Sequence, residues 1–325
     1  MGNEILVIIP CLNEEKTIAA LAQQLERASK TCPMQIVIAD GGSSDKTVAI
    51  AKKLAEQHTN ITYLHNPKRI QSAAVNLAVA TYGKDKEFLI RLDAHAEYPN
   101  DYCQILLEEA KSSQAASIVV TMDTQGHKPF QRAVAAAQNS KLGNGGSSHR
   151  STITVGRWVD HGHHALIRID AFTKIGGYDE NFSHNEDAEM DTRLTKAGYK
   201  IWLTARTKLV YTPRSSPIRL CRQYFHYGRG RVRNIVKHKT QPKLRQMIPA
   251  VVLPAFVLML LAPFCWILSI PFLAWVMLCV IYGTWLTYRT EDFALVLSGP
   301  AAMMMHFSWS LGFWSGVKQV IWSKK

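Results

Sequence analysis

Short apolar, β-branched runs at residues 5–9, 36–39, 61–64, 88–92 and 117–122 alternate with stretches of helical period at 15–29, 45–57 and 71–82. That rhythm predicts a largely parallel sheet with crossover helices. Helix starts are marked by side chains that offer an oxygen to unpaired N–H groups: Ser44 or Asp45 ahead of Lys46-Thr47-Val48, and Asn100 after Pro99. From His163 to Tyr211 the pattern gives a strand at Ala165-Leu166-Ile167, a turn at Gly176-Gly177, an acidic helix from about Glu186, and short strands over 201–204 and 209–211. Residues 139–151 carry no periodicity and read as a mobile loop able to close over a ligand.

The pattern changes after residue 247. Residues 248–287 run forty positions without a charge, which at ~1.5 Å per residue is ~60 Å of helix, or two bilayer cores. A transmembrane hairpin is expected, with legs over about 248–268 and 271–288 and a turn near Ser269-Ile270-Pro271. A third apolar stretch, 293–317, contains Gly299-Pro300, His306 and several serines. A full span there would place Lys318, Lys324 and Lys325 opposite the basic residues of 200–245, against the positive-inside tendency. A re-entrant or interfacial segment avoids the conflict, and the sequence leaves both open. The chain is therefore divided into residues 1–212, a basic juxtamembrane segment 213–247 facing acceptor or lipid, and a membrane anchor 248–325.

Composition sharpens this division. The 325 residues carry a formal charge of +13, and 200–245 alone contains thirteen Lys and Arg with no Asp or Glu. Basicity is thus local, set where a segment entering a membrane meets anionic headgroups at ~1 kcal/mol per charge. A nucleic-acid role ranks lower, because the adjoining sequence is hydrocarbon-like. The six cysteines are scattered and read as reduced thiols. Met1-Gly2-Asn3-Glu4 leads straight into the first strand, so no signal peptide is expected and the N-terminal part should face the cytosol.

Three carboxylate sites, Asp40, Asp93 and the pair Glu186/Asp187, follow one another along the α/β segment. Asp40 and Asp93 close apolar runs, so both should project from strand ends onto the rim where open α/β sheets bind ligands. In Val7-Ile8-Ile9-Pro10-Cys11-Leu12-Asn13-Glu14-Glu15, Asn13 and Glu14 can bond a base or ribose, or simply cap the next helix. Asp40-Gly41-Gly42-Ser43-Ser44-Asp45 tilts the balance, because glycines after a strand-end acid let backbone approach a ligand closely. In Asp93-Ala94-His95 a carboxylate and an imidazole are two residues apart after a strand, a pair able to bind Mg²⁺ or, more comfortably, Mn²⁺. The run Arg222-Gln223-Tyr224-Phe225-His226-Tyr227-Gly228-Arg229-Gly230-Arg231 has no acid near it from 192 to 290. A polyanion is its natural partner, such as a diphosphate or phospholipid heads.

With VIIPCLNEE, IADGGSSDKT, GGYDENFSHNEDAEMDTRL and Arg91-Leu92-Asp93-Ala94-His95 in view, the chain resembles the inverting family 2 glycosyltransferases over roughly residues 5–245. The resemblance implies a GT-A (nucleotide-diphospho-sugar transferase) α/β fold. It implies that Pro10, Asn13, Glu14 and Asp40 contact the nucleoside, and that Arg69 and Asn76 border the base and diphosphate. Asp93 and His95 would hold a divalent cation, with histidine replacing the second acid of the family's Asp-x-Asp. Asp187 would be the base that takes the acceptor hydroxyl's proton, and Arg229 and Arg231 would meet phosphate. RLDAHAEYP, LGNGGSSHR and RQYFHYGRGR narrow the likeness to succinoglycan-biosynthesis glucosyltransferases. That implies a UDP-sugar donor, UDP-glucose, a polyprenyl-diphosphate-linked saccharide acceptor, and a multi-pass protein of the inner membrane with its catalytic domain in the cytosol, working beside other polysaccharide-assembly proteins. His161, His163 and His164 are expected to be acceptor-site or structural residues, because neighbours on a strand face opposite sides.

Competing readings are a polyprenyl-phosphate sugar transferase, a non-catalytic scaffold that binds nucleotide or lipid, and, remotest, a nucleic-acid binder.

Overall fold

The computed structural model describes residues 4–145, 153–242 and 247–322. These form two compact units, one from residues 1–122 and 152–211, the other from 123–151 and 212–325. The second unit therefore recruits a piece of chain, 123–151, that a linear division assigns to the first.

In the first unit β1 (Ile5–Cys11), β2 (Met34–Asp40), β3 (Ile61–His65) and β4 (Phe88–Arg91) alternate with α1 (Ile18–Ala28), α2 (Thr47–Gln57) and α3 (Gln71–Tyr82). The four strands pair in parallel in the order β3-β2-β1-β4, as the apolar runs predict. Next come β5 (Ala96–Glu97), α4 (Tyr102–Ser113), β6 (Ser117–Thr124), β7 (Arg157–Val159), β8 (His163–Arg168), α7 (Ile169–Lys174), α8 (Glu186–Lys196) and β9 (Ile201–Tyr211), with α5 (Pro129–Asn139) and α6 (Lys141–Asn144) between β6 and β7 in sequence. β8 inserts antiparallel between β4 and β6, and β9 carries both β5 and β7 antiparallel. The sheet is thus mixed beyond β4, and β9 is one strand where two short ones were expected. Residues 146–151 of the predicted loop lie outside the described residues; its described start is the helical turn α6.

Two apolar clusters cover the two faces of the sheet, as strand alternation requires. Ile5, Val7, Ile9, Ile36 and Ile38 pack on one side with α1 and α4. Leu6, Ile8, Val37, Ala39 and Leu89 pack on the other with α3, α7 and α8.

The second unit is helical: α5, α6, α9 (Pro217–His238), α10 (Val252–Met259), α11 (Ile270–Thr290) and α12 (Ser298–Trp322). Val134, Ala137, Leu220, Cys279, Ala301, Ala302 and Met305 make its main core. α9 and α12 meet through glycines. A Cβ at Gly228 would stand 2.0 Å from the Trp309 carbonyl oxygen, and one at Gly312 would stand 1.9 Å from that of Phe225.

Among the described residues one helical stretch, Trp266–Thr290, is long and apolar enough to cross a membrane. Ile248–Met259, the first leg of the expected hairpin, is a shorter apolar helix, at ~1.5 Å per residue only ~18 Å long. The apolar composition runs on, but the backbone leaves the helix at Leu260, so the uncharged stretch does not become two equal legs.

Candidate active site

The carboxyl ends of β1, β2 and β4 share one edge of the sheet, and the loops after them carry the predicted residues. Asp40 is level with Cys11 in the β1–β2 ladder and is fully buried. Its carboxylate accepts from the N–H groups of Gly42 (2.8 Å) and Ser43 (3.1 Å) and from the Ser43 hydroxyl. It therefore shapes the loop of which it is the first residue. Gly42 adopts φ +82°, open to glycine at little cost, and the Arg69 guanidinium passes over it, 3.4 Å from where a Cβ would be.

Asn13, also left-handed (φ 59°), ties the two loops together. Its side-chain oxygen accepts from Ser44 N–H (2.8 Å) and its own N–H donates to Ser43 Oγ (2.8 Å). Glu14 N–H donates to Thr47 Oγ1 (2.8 Å), while its carboxylate lies 3.1 Å from His95 Nδ1. Pro10, Asn13, Glu14, Asp40 and Arg69 thus border one loop pair, with His95 linked to it through Glu14.

The second cluster centres on Arg91, the last residue of β4. The residue is 3% exposed, and its guanidinium grips Asp187 with two hydrogen bonds, Nη1 to Oδ1 at 2.7 Å and Nη2 to Oδ2 at 3.1 Å. Arg91 Nε faces Asp93 Oδ1 at 4.0 Å and makes no hydrogen bond. His163 sits between the same two acids, Nε2 at 3.9 Å from Asp93 Oδ2 and Nδ1 at 3.8 Å from Asp187 Oδ2. Asp93 accepts from Gln71 Nε2 (3.0 Å), and its N–H donates to Tyr98 Oη (2.8 Å).

Local structure explains how Asp187 arrives here. Gly177 (φ +70°) lies against Asn76, whose oxygen would be 2.6 Å from a Cβ at that position. Asn76 also receives the Tyr178 N–H (2.9 Å) and donates to the Tyr178 carbonyl (2.9 Å). So clamped, Tyr178 donates its hydroxyl to Asp187 Oδ1 (3.0 Å) and stands 3.0 Å from Arg91 Nη1. Asn76 is therefore a clamp on the Gly-Gly-Tyr turn.

Four residues on, and so on the same side of α8, buried Asp191 meets His161 Nδ1 at 2.5 Å and His164 Nε2 at 2.7 Å, the latter in an ion-pair approach off the line of a hydrogen bond. His164 Nδ1 is 2.8 Å from Ser117 Oγ. Thus His163 joins the Asp93–Asp187 cluster while His161 and His164 share Asp191. Sequence reasoning missed Arg91, although a cation inside the apolar run Phe88–Leu92 is the signal that could have found it.

Proton affinities follow. Burial favours the neutral form of Asp187, but the Arg91 guanidinium outweighs it, with His164 and His163 helping, and holds the carboxyl well below the usual carboxylate range. Burial and then the charge of Asp187 push Glu186 up to about 7, against the pull of Arg91. Burial, reinforced by Arg91, pushes His163 down to about 4. Burial also opposes ionisation of Asp93, yet Arg91, His163 and His95 bring it below its ordinary value.

Among the described residues no three His, Cys, Asp or Glu side chains are placed to hold a metal ion. His95 is held by Glu14, and Asp93 stands beside the Arg91 guanidinium and the His163 imidazole. This donor set fits a cation only if a ligand's phosphate oxygens complete it, and does not fit a free-standing metal centre. Arg229 and Arg231 belong to the second unit, where Gln319 Oε1 accepts from Arg229 at 2.7 Å.

The glycosyl transferase family 2 model matches residues 6–176. The succinoglycan biosynthesis protein ExoA of Rhizobium meliloti (strain 1021) is 52% identical over 309 residues, 95% of this chain and 93% of that protein. A dolichyl N-acetyl-alpha-D-glucosaminyl phosphate 3-beta-D-2,3-diacetamido-2,3-dideoxy-beta-D-glucuronosyltransferase of Methanococcus voltae is 28% identical, covering 70% of this chain and 72% of that one. In fold, the chain is similar to the mannosyltransferase PcManGT of Pyrobaculum calidifontis, solved with GDP-Man and Mn²⁺ (TM-score 0.58, 16% identity, 99% of this chain and 88% of that one). It is also similar to S. aureus TarS 1-349 with UDP-GlcNAc (TM-score 0.51, 14% identity, 97% and 92%). With a GT-A-like α/β sheet, its acids gathered at the carboxyl edge, and a relative matching nearly its whole length, the chain belongs to glycosyl transferase family 2 and is a glycosyltransferase.

Proposed function

We propose that the protein is an inverting hexosyltransferase of the inner membrane that moves glucose from UDP-glucose to a polyprenyl-diphosphate-linked saccharide during succinoglycan-type polysaccharide synthesis. The observation that carries this reading is the junction of Asp93 and Asp187, far apart in sequence, through one buried guanidinium and one imidazole. Pro10, Asn13, Glu14, Asp40 and Arg69 line the nucleoside side, and Arg229 and Arg231 serve the phosphates of donor or lipid carrier. Asp93 and His95 would hold Mn²⁺ or Mg²⁺ together with the donor, and the ion would supply charge neutralisation for the departing diphosphate. Asp187 takes the proton of the acceptor hydroxyl. Its grip by Arg91 makes it a weak base until Arg91 is shared with the donor's phosphates. That sharing would tie proton abstraction to donor binding. Trp266–Thr290 anchors the chain, the catalytic unit facing the cytosol near other assembly proteins.

The depressed proton affinity of Asp187 favours one second reading, a polyprenyl-phosphate sugar transferase. A phosphate oxygen needs little proton removal before it attacks.

Membranes containing the protein, given labelled UDP-sugars and lipid extract with and without Mn²⁺, test both. Label from UDP-glucose should enter the organic phase. Asp187→Asn should lower the rate by ~10²–10⁴ for a hydroxyl acceptor, and only mildly for a phosphate acceptor. A folded Asp187→Asn protein transferring glucose to a lipid-linked saccharide at the wild-type rate removes the base assignment.

A further inference from the structure

α9 carries six basic residues on one side, with Arg231 and His238 falling on the other. With 3.6 residues per turn, Arg219, Arg222, His226, Arg229, Arg233 and Lys237 fall within an arc of about 80° along ~27 Å of helix. No acidic residue occurs on α9, or anywhere from 192 to 290. The opposite side is occupied: Leu220 is buried with Ala302 and Met305, and Val232 with Phe313. The glycine contacts at Gly228 and Gly312 leave no room for α9 to roll on α12, so the stripe has a fixed direction within its unit. Gln319 of α12 also holds the Arg229 guanidinium.

Two further observations select the partner. Ile218 and Val236 are 75% and 43% exposed and lie five turns apart on the same edge of the stripe. Cations flanked by an exposed apolar edge are the pattern of a helix lying in a membrane interface, heads to the phosphates and edge to the acyl boundary. The same unit exposes Leu260, Phe264, Trp266 and Ile281, so it already presents a hydrocarbon-facing surface. A single diphosphate would engage two or three of these cations. A stripe of ~27 Å matches an extended field of phosphates.

We infer that the cationic face of α9 docks on an anionic bilayer surface, its guanidinium and ammonium groups against lipid phosphates, as a membrane contact separate from the apolar helix. This does not depend on the reaction proposed above, since lipid choice is read without any sugar transfer.

The test uses the full-length chain in neutral detergent, titrated with phosphatidylglycerol or phosphatidylcholine and read by native mass spectrometry at low salt. The wild type should retain phosphatidylglycerol over phosphatidylcholine. The triple variant R219Q/R222Q/R233Q should bind phosphatidylglycerol about fivefold more weakly per charge removed, roughly a hundredfold in all, with phosphatidylcholine unchanged. R219K/R222K/R233K, which keeps the charge, should keep the preference, which separates loss of docking from loss of fold. Equal retention of both lipids by the wild type, or an undiminished preference in the glutamine variant, overturns the inference. Displacement of phosphatidylglycerol by equimolar inorganic diphosphate would overturn it in favour of a soluble phosphate. Displacement by a labelled RNA oligonucleotide would overturn it in favour of nucleic acid.

Discussion

The two compact units invert each other's economy of polar and apolar groups. In the first, large apolar side chains are shut away on both faces of the sheet, and of the exposed ones among the described residues only Leu12, Val155 and Trp158 belong to it. Its charged groups go inside, Arg91, His164, Glu189 and Asp191 among them. In the second, the buried described residues are uncharged, Gln138, Asn234, Ser298 and Ser310 among them, helices touch backbone to backbone at glycines, and many large apolar side chains of 248–297 face outward. Water as solvent explains the first arrangement. The second suits a hydrocarbon solvent, where tight backbone approach replaces hydrophobic burial as the force between helices.

Four substitutions sharpen or break that contrast. The largest effect is expected from Arg91→Met, which strands Asp187 without its cation and should lower unfolding free energy by about 3–5 kcal/mol, read by denaturant titration in detergent. Next is Gly312→Ala. Its methyl must displace the Phe225 carbonyl or part the helices, at about 2 kcal/mol, seen as a lower melting temperature with the first unit's structure retained. Glu186→Gln tests the polar interior from the other direction. With its folded pKa raised to about 7 from 4.5, Glu186 holds its proton more tightly folded than unfolded. Its favourable contribution is complete below pH 4.5 and is lost as pH rises through 7. The glutamine variant should therefore melt as the wild type does at pH 4.5 and be more stable at pH 8, by on the order of 2 kcal/mol. The smallest effect belongs to Phe264→Ser. At 88% exposure the change should stay within about 0.5 kcal/mol in detergent, and a loss of several would mean that Phe264 packs against protein.

The parallel half of the sheet was legible because each strand is a short β-branched run and each crossover has a helical period. That Asp93 and Asp187 could face one edge was legible because Asp93 follows a strand whose end lies on that rim and Asp187 opens a helix that can face it. Arg91 was not, since its role needs Asp187, 96 residues later, and the clamp of Asn76 on Gly177 and Tyr178 that brings it. Strand alternation correctly separates His163 from His164, but gives no hint that α8 offers an acid to each, at 187 and at 191. Of the expected hairpin, one leg, Trp266–Thr290, is long and apolar enough to span among the described residues, and the other, Ile248–Met259, is shorter. Absence of charge measures apolar length, whereas helix length depends on where the backbone breaks, and it breaks at Leu260.

The unmet Nε–H of Arg91 has a thermodynamic consequence. Folding has already stripped water from that donor and has given it no acceptor within bonding distance. An anionic oxygen that reaches it gains a charge-assisted bond without the dehydration that an exposed arginine must first undergo. Binding there should be tighter than a tally of contacts suggests, because the protein bore part of the desolvation when it folded.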